Sequence, residues 1–126
     1  GGENINNIQQ FNNWNKKGYF NFFQPDTNLM LFNEINFMID KIGHKKIILH
    51  NWCNKINFLS NINFAFSLKK KILVEKNIIH NPYDNFFKIE KKNIENGKID
   101  FKNTIGYGLS INYSKKNSLE IYETKL

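Results

Sequence analysis

The cysteine and histidine side chains of the sequence are the first candidates for binding a metal ion or for nucleophilic catalysis. They are Cys53, His44, His50 and His80. Their spacings match none of the paired cysteine and histidine patterns of zinc sites. The sequence also lacks the His-Glu-x-x-His, Gly-x-Ser-x-Gly and glycine-rich phosphate-binding motifs. We therefore predict that the chain is not an enzyme and that it holds no metal or other cofactor.

The positive charge of the chain comes from lysine alone. The sequence has 18 lysines, 11 acidic residues and no arginine, which gives a formal net charge of +7. Arginine is the residue that binds phosphate and guanine with two parallel hydrogen bonds, and dispersed lysines are typical of a solvated surface. We therefore expect no nucleic-acid partner, and any residual binding to be sequence-blind and sensitive to salt.

A strict alternation of side chains dominates residues 99 to 113. With one exception the odd positions are apolar, and all the even positions are polar or glycine. A strand with this pattern has one apolar and one polar face. A tilted strand crosses a bilayer with about 9 to 11 residues, which this segment supplies. The pattern therefore predicts a transmembrane β-strand whose apolar face, including Leu109 and Ile111, contacts lipid.

Other segments complete an antiparallel strand prediction. Residues 29–40 have an apolar odd face, whereas residues 45–51 alternate less regularly and residues 118–126 form the last candidate. Asn96-Gly97 is the strongest hairpin signal, because both residues tolerate the positive φ of a type I′ turn. The strand through Ile99 is then expected to pair with part of residues 86–95.

The remaining residues are predicted to be connections. Residues 1–28 read as a long loop, and the region near 53–98 reads as a long insertion between strands. The chain as a whole is thus predicted to be a single all-β domain, 1–126.

Taken in order, the segments resemble the C-terminal part of the outer-membrane barrel-assembly superfamily. That family includes the core barrel of the mitochondrial sorting and assembly machinery, the bacterial surface antigen proteins and the plastid outer-envelope import channel. Its long loop begins with Gly-Gly, and an arginine motif docks it on the barrel wall; Gln9 stands where the family has this arginine. The strand pair that is most similar to the family is Thr104–Ile111 followed by Leu119–Tyr122, and residues 29–40 and 47–54 resemble earlier family segments.

The resemblance implies two groups of site residues. The loop motif consists of Gly1, Gly2, Ile8, Gln9 and Phe11. The strand motif consists of Thr104, Gly106, Gly108, Leu109 and Ile111. Since a sheet that spans a membrane must close on itself, the chain is expected to be an incomplete, C-terminal piece of a transmembrane β-barrel.

The function implied by the resemblance is the insertion and assembly of β-barrel proteins in the mitochondrial outer membrane. The expected partners are outer-membrane lipid, precursor β-barrel proteins and other subunits of the assembly machinery. A plastid outer-envelope import channel is the alternative within the family. A soluble all-β interaction or nucleic-acid-binding domain is the alternative outside it, with aromatic rings stacking on bases and lysines neutralising phosphates.

Overall fold

The computed structural model describes residues 1–52, 54–79, 81–89, 94–99, 109–112 and 114. The chain divides into two compact units, residues 1–79 and residues 80–126. The elements of the first unit are α1 (Ile8–Lys17), α2 (Phe32–Ile42), a 3-10 turn (His44–Lys46), β1 (Ile48–Leu49), α3 (Lys55–Ser67) and β2 (Leu73–Val74). The described elements of the second unit are a 3-10 turn (Pro82–Phe86), β3 (Phe87–Ile89), β4 (Ile94–Glu95), β5 (Lys98–Ile99) and β6 (Leu109–Ile111).

Local sequence signals set the ends of the helices. The side chain of Asn7 accepts a hydrogen bond from the backbone N–H of Gln9 at the start of α1, and the side chain of Asn54 does the same for α3. Such caps satisfy backbone donors that have no partner inside the helix. Helix α1 ends at Gly18 and α2 ends at Gly43, both with positive φ. Glycine adopts this conformation at little cost.

The centre of the first unit is a small parallel arrangement. Strand β1 pairs with β2 in parallel, and parallel bridges join Phe23 to Ile47 and Asp26 to His50. Helix α2 therefore connects the extended segment 23–26 to β1, and α3 connects β1 to β2. The first unit is thus built from two successive β–α–β connections, in which parallel neighbours are joined by a helix.

The core of the first unit is formed by apolar side chains from α1, α2, α3 and the parallel segments. It contains Phe11, Phe23, Met30, Ile35, Met38, Ile39, Ile42, Ile47, Leu49 and Ala65. On α2 the buried positions are spaced by three and four residues, which places them on one face of the helix. Full burial of one such large side chain contributes about 1.5 to 3 kcal/mol. This packing holds the short strands in register.

Besides its 3-10 turn, the described part of the second unit contains two pairs of strands. Strands β4 and β5 pair antiparallel around Asn96 and Gly97, whose φ angles are 51° and 71°. The predicted type I′ hairpin is therefore confirmed. Strands β3 and β6 also pair antiparallel, with Lys88 opposite Ser110. In an antiparallel pair the residue numbers of opposite partners have a constant sum. This sum differs between β3–β6 and β4–β5, so the two pairs do not follow one continuous register.

The predicted all-β fold is wrong. Residues 29–40, expected to be a strand, mostly form α2, and the expected loop 1–28 contains α1. Helix α3 lies within the expected insertion. The alternation in 29–40 was ambiguous, since Met30 and Met38 on the even face are as apolar as the odd positions. The helical period prevailed because it buries four side chains of α2 on one face.

The predicted transmembrane β-barrel is wrong as well, because it depended on the all-β fold. The described strands are two or three residues long and form two-stranded sheets. A strand that crosses a bilayer needs about 9 to 11 residues. Among the described residues, no helix has the length and apolar character needed to cross a membrane.

Candidate functional site

The structure brings together part of the predicted loop motif. Gly2 has a φ of 101°, and a Cβ atom built on it would lie 2.6 Å from Cε1 of Phe11. Phe11 is fully buried in α1, Ile8 packs against the core, and Gln9 is exposed. Gly1 lies beside the ring of Phe20. Gly2, Ile8 and Phe11 therefore take part in the packing of the first unit, whereas Gln9 lies on its surface.

The predicted strand motif is only partly described. Leu109 and Ile111 lie in β6, where they face Ile89 and Phe87 across the antiparallel pair. Thr104, Gly106 and Gly108 lie outside the described residues, as do Leu119–Tyr122. Cys53 and His80 are outside them too. Among the described residues no cluster of three metal-binding side chains is found.

A network of polar side chains lies where the parallel segments of the first unit end. Its members are Thr27, His50, Asn51, Asn57, Asn61 and Glu75. The hydroxyl of Thr27 donates to Oδ1 of Asn61 at 2.6 Å and lies 3.2 Å from Oδ1 of Asn57. Nδ2 of Asn61 donates to the carbonyl of His50 at 2.9 Å. Asn61 thereby ties α3 to both neighbouring segments.

The other half of this polar network surrounds His50. Its Nδ1 donates to Oε2 of Glu75 at 2.8 Å, and the same oxygen accepts the backbone N–H of Asn51 at 3.3 Å. Nδ2 of Asn57 donates to Oδ1 of Asn51 at 3.1 Å. A catalytic nucleophile would have to contact its base. Because the hydroxyl of Thr27 contacts the carboxamides and not His50, the network joins structural segments.

The opposite end of the first unit is strongly basic. Two side-chain contacts bring its segments together: Nζ of Lys46 donates to Oδ1 of Asn15 at 3.0 Å, and Nζ of Lys70 lies 2.7 Å from Oδ1 of Asp40. These contacts join the turn before β1 to the end of α1, and the segment before β2 to the end of α2. We call this surface the basic end. It carries Lys16, Lys17, Lys41, Lys45, Lys46, Lys69, Lys70 and Lys71.

The fold separates charge along the first unit. Eight of the ten lysines in residues 1–79 belong to the basic end, where Asp40 is the acidic neighbour. Glu34 lies in the first turn of α2, and Glu75 directly follows β2, so both carboxylates are at the end of the unit that holds the polar network. The lysines that are dispersed in the sequence are therefore gathered by the parallel topology.

Exposed aromatic rings accompany these lysines. Tyr19 follows α1 with 59% of its surface exposed, Phe37 on α2 is 49% exposed, and Phe66 on α3 is 52% exposed. Nζ of Lys17 lies 5.5 Å from the ring centre of Tyr19, and Nζ of Lys41 lies 5.3 Å from that of Phe37. An exposed ring therefore lies just after α1, at the middle of α2 and near the end of α3, and those of Tyr19 and Phe37 have a lysine beside them.

The basic end was not predicted from the sequence, because its lysines are brought together only by the topology of the fold. Lysine-rich stretches at 16–17, 45–46 and 69–71 were visible, but without helices between the strands nothing indicated that they meet. A helical reading of residues 8–17, 32–42 and 55–67 would have placed the three stretches in or shortly after the last turns of helices. Lysines there are also favourable for the helix dipoles.

Comparison with known proteins adds no assignment. No family model, no curated protein and no solved structure matches the chain. The resemblance to the barrel-assembly superfamily stays an untested prediction.

Proposed function

We propose that the first unit binds the backbone of single-stranded nucleic acid through the basic end. The observation that carries this proposal is that lysines in or shortly after the last turns of three helices meet on one surface, where exposed aromatic rings lie beside some of them. Lysines beside exposed rings are the combination by which sequence-tolerant proteins hold single strands, with phosphates neutralised and bases stacked.

The charge separation supports an anionic partner. An excess of lysines at one end and carboxylates at the other gives the unit a dipolar field that orients an approaching polyanion. Because lysine acts as a point charge rather than a planar fork, the contacts fit phosphates and not base edges. The expected binding is sequence-blind, as the sequence alone predicted for any residual binding. The earlier expectation of no nucleic-acid partner assumed dispersed lysines, which the topology gathers.

A charge-reversal pair tests the proposal. Lys45→Glu with Lys71→Glu changes two exposed lysines of the basic end, which have no side-chain partner among the described residues. The matched control, Lys55→Glu with Lys76→Glu, makes the same change in net charge at the other end of the unit. Oligouridylate binding, measured by fluorescence anisotropy, is expected to weaken about tenfold or more in the first pair and much less in the control.

Salt dependence gives the second readout. For single strands the slope of log affinity against log salt changes by about 0.7 for each phosphate contact that is lost. The basic-end pair should therefore lower the slope by roughly 1.4, while the control pair leaves it nearly unchanged. Equal losses of affinity in the two pairs would mean that only net charge matters and would overturn the proposal.

The barrel-assembly activity is not proposed for this fold. Pairing an edge strand of the barrel with an incoming strand depends on long strands, and the described strands are two or three residues long.

A further inference from the structure

A groove of about 460 Å³ lies at the end of the first unit opposite the basic end. It is lined by Thr27, Asn28, Phe32, Asn54, Ile56, Asn57 and Ser60. We call it the Asn57 groove. None of its lining side chains is charged, and the Oδ1 atom of Asn54 already accepts the backbone N–H groups of Ile56 and Asn57. The groove therefore suits an uncharged ligand rather than a phosphate or a carboxylate.

One wall of the groove is a supported aromatic ring. Phe32 stacks on Phe64 with ring centres 4.6 Å apart and planes inclined by 19°. Phe32 nevertheless keeps 40% of its surface exposed. A ring that is held from behind by a second ring loses little freedom when a planar ligand stacks on it. The groove thus has a platform for a flat heterocycle.

Asn57 gives the groove a defined hydrogen-bonding pattern. Its Nδ2 uses one proton for Asn51, and its Oδ1 has one neighbour in Thr27. A carboxamide has two protons and two acceptor sites. By this count one proton of Nδ2 and one acceptor site of Oδ1 remain, on a carboxamide that is held by a contact at its oxygen and another at its nitrogen. This pair is complementary to the N6 amino group and N7 of adenine, which asparagine binds in protein–DNA complexes.

From these features we propose that the Asn57 groove binds an adenine base, stacked on Phe32 and hydrogen-bonded by the carboxamide of Asn57. The site lies at the opposite end of the first unit from the lysines, so this proposal does not rest on the basic end. The base could be carried by a free nucleoside or by a strand, and the recognition is the same. Adenosine is the probe because it presents the base without charge.

The ligand side of the test uses the unaltered chain of 126 residues. Adenosine is titrated and followed by NMR chemical shifts of the groove residues, beside purine riboside, which lacks the 6-amino donor. We expect purine riboside to bind about tenfold more weakly, because the Oδ1 acceptor of Asn57 is left without a partner. Equal binding of the two nucleosides, or no binding of adenosine at millimolar concentration, would overturn the proposal.

The protein side of the test exchanges the hydrogen-bonding pattern. Asn57→Asp leaves two acceptors and no donor, which suits N1–H and N2–H of guanine. This variant should lose adenosine and gain guanosine, a result that misfolding cannot produce. Asn63→Asp, on the same helix but outside the groove, should keep the original preference. Phe32→Leu should weaken adenosine binding about fivefold or more by removing the platform.

Competition identifies the carrier of the base. Oligoadenylate that displaces adenosine shows that the groove takes a base from a strand, whereas displacement by AMP alone shows that it takes a mononucleotide. Displacement by ribose would show that the sugar is recognised and would contradict the proposal.

Discussion

Asn61 is the polar side chain on which the packing of α3 most depends. It is fully buried, and its carboxamide bridges the hydroxyl of Thr27 and the carbonyl of His50. A buried polar group that loses its partner costs its full desolvation energy. Asn61 therefore links the helix to two of the three parallel segments, and the link is sensitive to substitution.

Replacing Asn61 with leucine should destabilise the first unit by about 1 to 3 kcal/mol, because the carbonyl of His50 loses its side-chain donor and Thr27 keeps only the longer contact to Asn57. The control is Asn63→Leu, because the side chain of Asn63 donates to the carbonyl of Leu59 one turn earlier in its own helix. That change should cost less than about 1 kcal/mol. Chemical denaturation followed by circular dichroism measures both, and similar costs would contradict the network.

Gly2 is a residue-scale requirement of the same core. Any Cβ atom there meets the buried ring of Phe11, and the φ of 101° is unfavourable for other residues. Gly2→Ala should therefore lower stability by about 1 to 2 kcal/mol more than Gly18→Ala. Gly18 also has a positive φ, but a Cβ on it contacts nothing within 4 Å. The melting temperatures of the two variants are compared. An equal loss of stability would show that the ring of Phe11 moves aside for the added methyl group.

At the scale of elements, the hairpin was predictable and the helices were not. Asn96-Gly97 determines a turn through its own backbone preference, so two residues suffice. Helix α2 instead depends on which of two periods buries more surface, and the apolar residues between 29 and 40 fit both. The period of α2 is decided by the tertiary core, to which Phe23 and Ile47 contribute from outside the segment.

The N-terminus of α3 gives a test at this scale. The side chain of Asn54 accepts the backbone N–H groups of Ile56 and Asn57, at 3.0 and 3.3 Å. Asn54→Ala should lower the free energy of unfolding by about 1 kcal/mol, and Asn54→Ser should restore most of it, since serine is an equally good cap. If serine were no better than alanine, the cap would contribute nothing measurable.

At the scale of the whole molecule, the candidate site follows from topology. The composition determines only the net charge, and the lysine stretches are visible in the sequence. The stretches lie on one surface because two β–α–β connections bring them there. The same connections bring the polar network and the Asn57 groove to the other end. Neither could be predicted from the sequence, because Thr27, Asn57 and Glu75 come from three distant segments.

The first unit should fold without the second. The described side chains of its core, including the partly buried ones packed against it, lie between Ile5 and Val74. A chain of residues 1–79 is therefore expected to keep helical circular dichroism and a cooperative melting transition. A chain of residues 1–52, which lacks α3 and β2, should lose both. A gradual, non-cooperative melt of the longer chain would show that the core needs residues 80–126.

Chemical-shift mapping with oligouridylate shows which surface of the first unit binds a single strand. Uracil lacks the purine pattern proposed for the Asn57 groove, so the experiment isolates the basic end. If the basic end is the binding surface, the largest amide shifts are expected at Gly18, at Gly43 and in residues 69–71, where the three helices end, with Ser60 in the groove unchanged. Saturating shifts confined to the groove, or none at the helix ends, would contradict the proposed role of the basic end.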